Sequence, residues 1–330
     1  MAFYRADVAM QERLAALVAD LEAEGRPGLA ARLSLTWVRY PASLRSWSEE
    51  GWGVPLELAG VGAHWQGQRQ RYPASVVKLV YMVAAEAWIQ RQWLSRSDEL
   101  SRALADMVRD SSNDATGYVL DLLSGTTSGV ELPPAAFAAW SAERQVVNRW
   151  LRQLDWPELE GGNACQKTWG DGPYGRERQS YGADNANRNR LSTEGTARML
   201  QAVMAGAMVS PPASRRMRER LARSLDPAQR AADPENQVDG FLGAGLPEGA
   251  LLWSKAGWMS QARHDAAYME APGVAPCLLV AFSEGKRCAA DDTLLPEICR
   301  RLLRERGEED NGGAAARGAG PRISGDDLTL

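Results

Sequence analysis

The sequence predicts an α+β fold: an antiparallel five-stranded sheet flanked by helices from the two chain ends, with an all-α lobe inserted between its strands. Three observations carry this. Two short strand patterns stand near the N-terminus, and three more follow one another near the C-terminus. An amphipathic helical pattern precedes the first group and another follows the second. Between the groups, residues 75–207 carry helical spacing and loops but no strand pattern. Strands from both ends can close one sheet, so residues 1–74 and 208–306 are expected to form one lobe and 75–207 a second. The cleft between two such lobes is where a ligand should bind.

Taken in order, residues 7–24 place apolar side chains at helical spacing and end at Gly25 and Pro27. Residues 31–40 alternate through Leu33, Leu35 and Trp37, a strand signal, and 61–65 form a second short strand. Tyr72-Pro-Ala-Ser75-Val-Val-Lys78-Leu79 then opens an apolar helical run that continues through Trp88. Residues 98–110 and 114–123 read as helices joined at Asp110-Ser111-Ser112-Asn113-Asp114, residue types that suit an N-cap or a turn. A Gly/Thr/Ser loop at 124–131 leads to a helix at 135–154. Residues 157–190 lose periodicity and fill with Gly, Asn, Asp and Arg, the composition of a long active-site loop. Helical spacing returns at 193–207, with Ser192 or Thr193 as cap, and at 212–224. Residues 240–249 are a turn region whose glycines precede no helix, so they are no phosphate loop. Strands at 250–256, 264–270 and 276–283 are joined by short turns and should pair antiparallel. Residues 291–306 close as an amphipathic helix, and 307–330 read as a disordered tail.

Composition narrows the function classes. At 330 residues, with 45% hydrophobic and 24% charged residues, the chain can bury a large core. A net charge of −4 gives nucleic acid no electrostatic footing as a partner. Lys78 and Glu86 interrupt the longest apolar run, so no membrane span is expected. Residues 1–25 lack the apolar core of a signal peptide, and Cys165, Cys277, Cys288 and Cys299 show neither C-x-x-C nor metal-site spacing. Together these point to reduced thiols in a cytoplasm, with neither metal nor cofactor.

The chemistry is concentrated at Ser75. A serine hydroxyl becomes a nucleophile when a neighbouring base takes its proton, and a desolvated lysine can be that base. Lys78 lies three residues on, on the same helix face. The helix N-terminus offers backbone N–H groups where an oxyanion would form. A Ser-His-Asp relay is not available from His264 and Asp265, because neighbours on a strand point to opposite faces. His64 stands alone near a strand end and reads as structural.

Two further stretches complete a set. Ser111-Ser112-Asn113 opens a helix in the inserted lobe, and Trp253-Ser-Lys255-Ala256-Gly257-Trp258 lies on the first C-terminal strand. With Ser75-Val-Val-Lys78, these resemble, in order and context, the three motifs of the serine β-lactamase and penicillin-binding-protein superfamily, closest to its class A β-lactamase-like branch. Residues 189–200, after the long loop, are also similar, and the likeness covers roughly residues 30–305. The resemblance implies a β-lactamase-like fold and an acyl-enzyme on Ser75 with Lys78 as base. Ser111 would pass a proton to the leaving group, Asn113 would orient Lys78 or a substrate amide, and Lys255 would supply positive charge. The N–H groups of Ser75 and Trp258 would form the oxyanion hole, and Gly257 would border the substrate.

Two departures temper the resemblance. Ala256 stands where the family has a hydroxyl that helps hold the β-lactam carboxylate, and Arg263 is the candidate for a replacement anion contact. No Glu-x-x-Leu-Asn pattern supplies a deacylating base; Glu177, then Glu158, are the candidates. The expected function is a serine hydrolase of an amide, ester or lactam, weak on β-lactams. Its partner would be a small-molecule or peptide-like substrate, for which an anion is suited. The competing expectation is a catalytically weak ligand- or protein-binding module on the same fold.

Overall fold

The computed structural model describes residues 2–47 and 55–304, so the tail expected at 307–330 lies outside the described residues. The chain begins with β1 (Arg5–Ala6), α1 (Val8–Ala23), α2 (Leu29–Arg32), β2 (Leu33–Arg39) and β3 (Val61–Trp65). Asp7 caps α1 by accepting from the Met10 N–H at 2.8 Å. The helical insertion carries α3 (Val77–Gln90), α4 (Asp98–Arg109), α5 (Asn113–Ser124), α6 (Pro134–Arg144), α7 (Val146–Gln153), α8 (Gly175–Tyr181), α9 (Thr193–Met204) and α10 (Pro211–Leu221). The chain returns through β4 (Ala222–Arg223), α11 (Pro227–Ala232), β5 (Leu251–Met259), β6 (Ala262–Ala271), β7 (Val274–Glu284), α12 (Lys286–Ala290) and α13 (Leu294–Leu303).

The fold is mixed α+β, but the sheet corrects the expectation of five antiparallel strands. Among the described residues it has seven strands in the order β1-β3-β2-β7-β6-β5-β4, and β1 runs parallel to β3. The five long strands pair antiparallel. The additions are two-residue strands at each edge, too short to show any periodicity. In β5 and β6, Lys255 stands opposite Ala266, Gly257 opposite His264, and Trp258 opposite Arg263.

Each sheet face buries its own core. One face packs Tyr40, Tyr268, Val280 and Phe282 against α3 and α9. The other packs Leu35, Trp37, Leu252 and Ala281 against Leu14 and Leu21 of α1 and Leu294 and Ile298 of α13. Every residue of α3 from Val77 to Trp88 is buried, which is why its sequence is apolar on all sides. Two segments differ from their expected form. The helix expected at 135–154 breaks at Gln145, whose side chain reaches Asn187 and accepts from Asn148. The loop at 157–190 contains α8 and is knitted by asparagines. Asn163 donates to the carbonyls of Asn187 and Arg188, and Asn189 accepts from the N–H groups of Cys165 and Gln166.

Glu86 is the one acid inside α3, fully buried and surrounded by Arg96, Arg216 and Arg220 at 2.7–2.9 Å. The guanidiniums outweigh the cost of burial and hold its carboxyl below the usual range. Glu86→Ala leaves three arginines crowded without their carboxylate. It is expected to cost about 3–5 kcal/mol in denaturant unfolding. Arg96→Ala, at a half-exposed rim position, should cost less than about 1 kcal/mol.

Candidate active site

Ser75 lies in a tight 3₁₀ turn, Ala74–Val76, that runs straight into α3. Ala74 is left-handed (φ 46°), a conformation costing an L-residue about 1–2 kcal/mol. Strain of this kind persists where the surroundings over-determine it. Here the turn is gripped from two sides. Beneath it, the buried His264 ring bonds the Tyr72 carbonyl through Nε2 at 2.9 Å and accepts the Ser283 N–H on Nδ1 at 3.0 Å. Since Nδ1 accepts, the hydrogen sits on Nε2 and the ring is neutral; burial pushes its pKa down to about 4. Beside it runs Gly257, where a Cβ would stand only 2.9 Å from the Pro73 carbonyl oxygen and the Ser75 nitrogen. No residue with a side chain fits there without moving strand or turn.

The edge of β5 is open at this point, because β4 pairs only as far as Trp253. The Ala256 N–H points off that edge to Gln237 Oε1 at 3.2 Å. By the two-residue period of a strand, the Trp258 N–H faces the same edge, on the side of the Ser75 turn.

The second stretch closes over Lys78. Ser111 is left-handed (φ 57°), and Ser112 caps α5 by accepting from the Ala115 N–H at 3.1 Å. This geometry brings the Ser111 carbonyl oxygen, the Ser111 Oγ at 3.1 Å and the Asn113 Oδ1 at 2.9 Å onto Lys78 Nζ. Lys255 Nζ reaches the same Ser111 Oγ, also at 3.1 Å, and donates to Gln237 Oε1 and the Ala256 carbonyl. Both lysines are fully buried. Burial pushes Lys78 down to about 7. It pushes Lys255 well below its ordinary value, with the positive charges of Lys78 and Arg223 adding to the effect.

The structure thus brings together Lys78, Ser111, Asn113 and Lys255, with Gly257 against the Ser75 turn. Two further expected residues have partners of their own. Arg263 faces Trp258 in the register, so it shares the sheet face opposite to Lys255 and Gly257. There its guanidinium donates to the Ala289 and Gly240 carbonyls. Glu177 is fully buried with Arg144, accepts from Ser128 Oγ at 2.9 Å, and has Lys167 Nζ at 3.9 Å. These partners tie Glu177 into the inserted lobe. Glu158, the other candidate, is buried in an ion pair with Arg198 at 2.6 Å.

Two residues not anticipated from sequence complete the support. Gln237 links Lys255 and the Ala256 N–H to the carbonyls of Val108 and Arg109. Arg223 ties the same two carbonyls to that of Ser254. Gln237 sits in a polar stretch without pattern, and Arg223 lies in β4 at the end of the segment expected to be helical to 224, so no sequence signal marked either.

Comparison with known proteins bears on the family and the fold. The model of the Beta-lactamase enzyme family matches residues 92–305. No match is found among curated protein sequences. Among solved structures, that of PBP-A is similar at 15% identity and a TM-score of 0.57, covering 91% of this chain and 96% of that one. A β-lactamase from Sphaerobacter thermophilus is 18% identical with a TM-score of 0.57, covering 88% and 95%. One from Chitinophaga pinensis is 16% identical with a TM-score of 0.59, covering 88% and 97%. These identities carry the fold alone, while the family match spans well over half of the sequence. The chain belongs to the Beta-lactamase enzyme family.

Proposed function

We propose that the protein is a serine hydrolase that opens an amide, ester or lactam through an acyl-enzyme on Ser75. The observation that carries this reading is the setting of Lys78, a fully buried amine on the helix that Ser75 opens, held by Ser111 and Asn113, with burial pushing it down to about 7. As the free amine, Lys78 takes the Ser75 proton while Oγ attacks the acyl carbon. The Ser75 and Trp258 N–H groups receive the oxyanion, each donor worth about 3–4 kcal/mol. The Lys78 proton then passes through the Ser111 hydroxyl to the leaving atom. A hydroxyl has two lone pairs for the two lysines and one hydrogen to give, which suits Ser111 to this relay. Lys255 favours the approach of an anionic substrate when protonated. The substrate is a small molecule or a peptide-like chain. Four free, buried cysteines suit the cytoplasm as its compartment. No helix among the described residues is long and apolar enough to cross a membrane.

Slow β-lactam turnover is part of the proposal. Its support is that Ala256 stands where the family has a hydroxyl, and that Glu158 and Glu177 are each charge-paired with an arginine.

Labelling with a fluorescent penicillin or a serine-reactive phosphonate tests the nucleophile. Ser75→Ala should remove the label and leave the circular dichroism unchanged; a label that persists rules the mechanism out, and an unlabelled native protein leaves the binding-module reading.

The labelling rate should also report Lys78. The base is the neutral amine, so the rate should rise about tenfold per pH unit up to about pH 7 and then level off. A profile flat between about pH 5 and 9 is incompatible with this base.

Mass spectrometry separates acylation from turnover. A penicillin adduct on Ser75 should be long-lived, with turnover far below about 10 s⁻¹. Fast release by the unmodified protein would contradict the reading of the loop carboxylates.

A further inference from the structure

The side chain that bears on substrate choice is Arg188, near the end of the long loop. Its guanidinium carbon lies 3.6 Å from the centroid of the Tyr72 ring, three residues before Ser75. One of its terminal nitrogens is 3.7 Å from Met259 Sδ, two residues beyond Gly257. Its Nε is buried without a hydrogen-bond acceptor, and among the described residues no carboxylate pairs with it. The backbone on either side is held firmly. The Arg188 N–H donates to the Asn185 carbonyl at 2.9 Å, and the Arg188 carbonyl accepts from Asn163 Nδ2 at 3.0 Å. A stacked, backbone-anchored guanidinium lacking an anion is already organised to receive one, and its planar fork matches a carboxylate.

Its place along β5 says which part of a substrate it would meet. Lys255, Gly257 and Met259 alternate onto one face of the strand. At about 3.3 Å per residue, Lys255 and Met259 are about 13 Å apart, with the Ser75 turn midway. Ser111 and Lys78, which return the proton to the leaving atom, stand at the Lys255 end. The leaving group therefore lies toward Ser111, and the acyl chain must run the other way, past Gly257 toward Met259 and Arg188.

We propose that Arg188 is the specificity determinant for the acyl side of the substrate and selects acyl groups that carry a carboxylate. This rests on Ser75 as the nucleophile. It replaces the anion contact first looked for at Arg263 with one at the opposite end of the cleft from Lys255.

The test compares the 4-nitrophenyl monoester of adipic acid with the same ester whose far carboxyl is methylated. The native protein should prefer the charged ester by at least about tenfold in kcat/KM. Arg188→Gln should bring the ratio to about one and leave the methylated ester within about twofold, which also shows that the variant is folded. Arg188→Lys should keep part of the preference. Equal loss on both esters would mean that Arg188 only clamps the loop to Tyr72 and would overturn the proposal, as would a native protein without preference. A failure of the Ser75 reading looks different: neither ester is cleaved in a Ser75-dependent way. Binding then decides, by calorimetry on Ser75→Ala protein with adipoyl 4-nitroanilide and its methyl ester. Tighter binding of the acid, abolished by Arg188→Gln, supports the proposal, and equal binding overturns it.

Discussion

The site depends on one shared hydroxyl. Ser111 Oγ accepts from Lys78 and from Lys255, both in a fully buried setting. Two ammonium groups that close in a low dielectric repel strongly, so a proton on one favours the free amine on the other. The titration therefore belongs to the pair rather than to either lysine. Much of the surrounding structure maintains this arrangement. The left-handed turn at Ser111 aims its carbonyl at Lys78, while Gln237 and Arg223 occupy the carbonyls of Val108 and Arg109 just before it.

The Ser75 turn is held by a different device, steric rather than electrostatic. Gly257 lets the β5 backbone lie directly against the Ser75 turn, and a neutral His264 supports that turn from β6. The histidine's two hydrogen bonds fix its tautomer, and its depressed pKa keeps it neutral wherever the protein is folded at ordinary pH. A buried, neutral imidazole that bonds two backbone groups serves as a strut and takes no part as an acid or base.

Much of this was legible in the sequence because it is local. The S-x-x-K spacing, the cap at Ser112 and the strand alternation of 250–256 are properties of a few neighbouring residues, and the structure has the elements in that order. What escaped was set by partners far along the chain. Glu177 reads as a loop carboxylate until Arg144, 33 residues earlier, is found beside it. Arg263 could be assigned a face only once the β5–β6 register was known, since a one-residue slip reverses every side chain. The edge strands β1 and β4 are two residues long and carry no pattern. Gln237 is placed by four hydrogen bonds to distant residues and Arg188 by one stacked ring, which no periodicity announces.

The contact between Lys255 and Ser111 joins residues 144 positions apart. The geometry here depends on non-local closure: the inserted helices are built from local contacts, whereas Lys255 meets Ser111 only where β5 lies against the Ser75 turn. A chain with only its helices in place would lack the Lys255 amine and the N–H of Trp258. The Lys78–Ser111–Lys255 arrangement is thus a property of the whole chain, assembled from segments at both ends of the insertion.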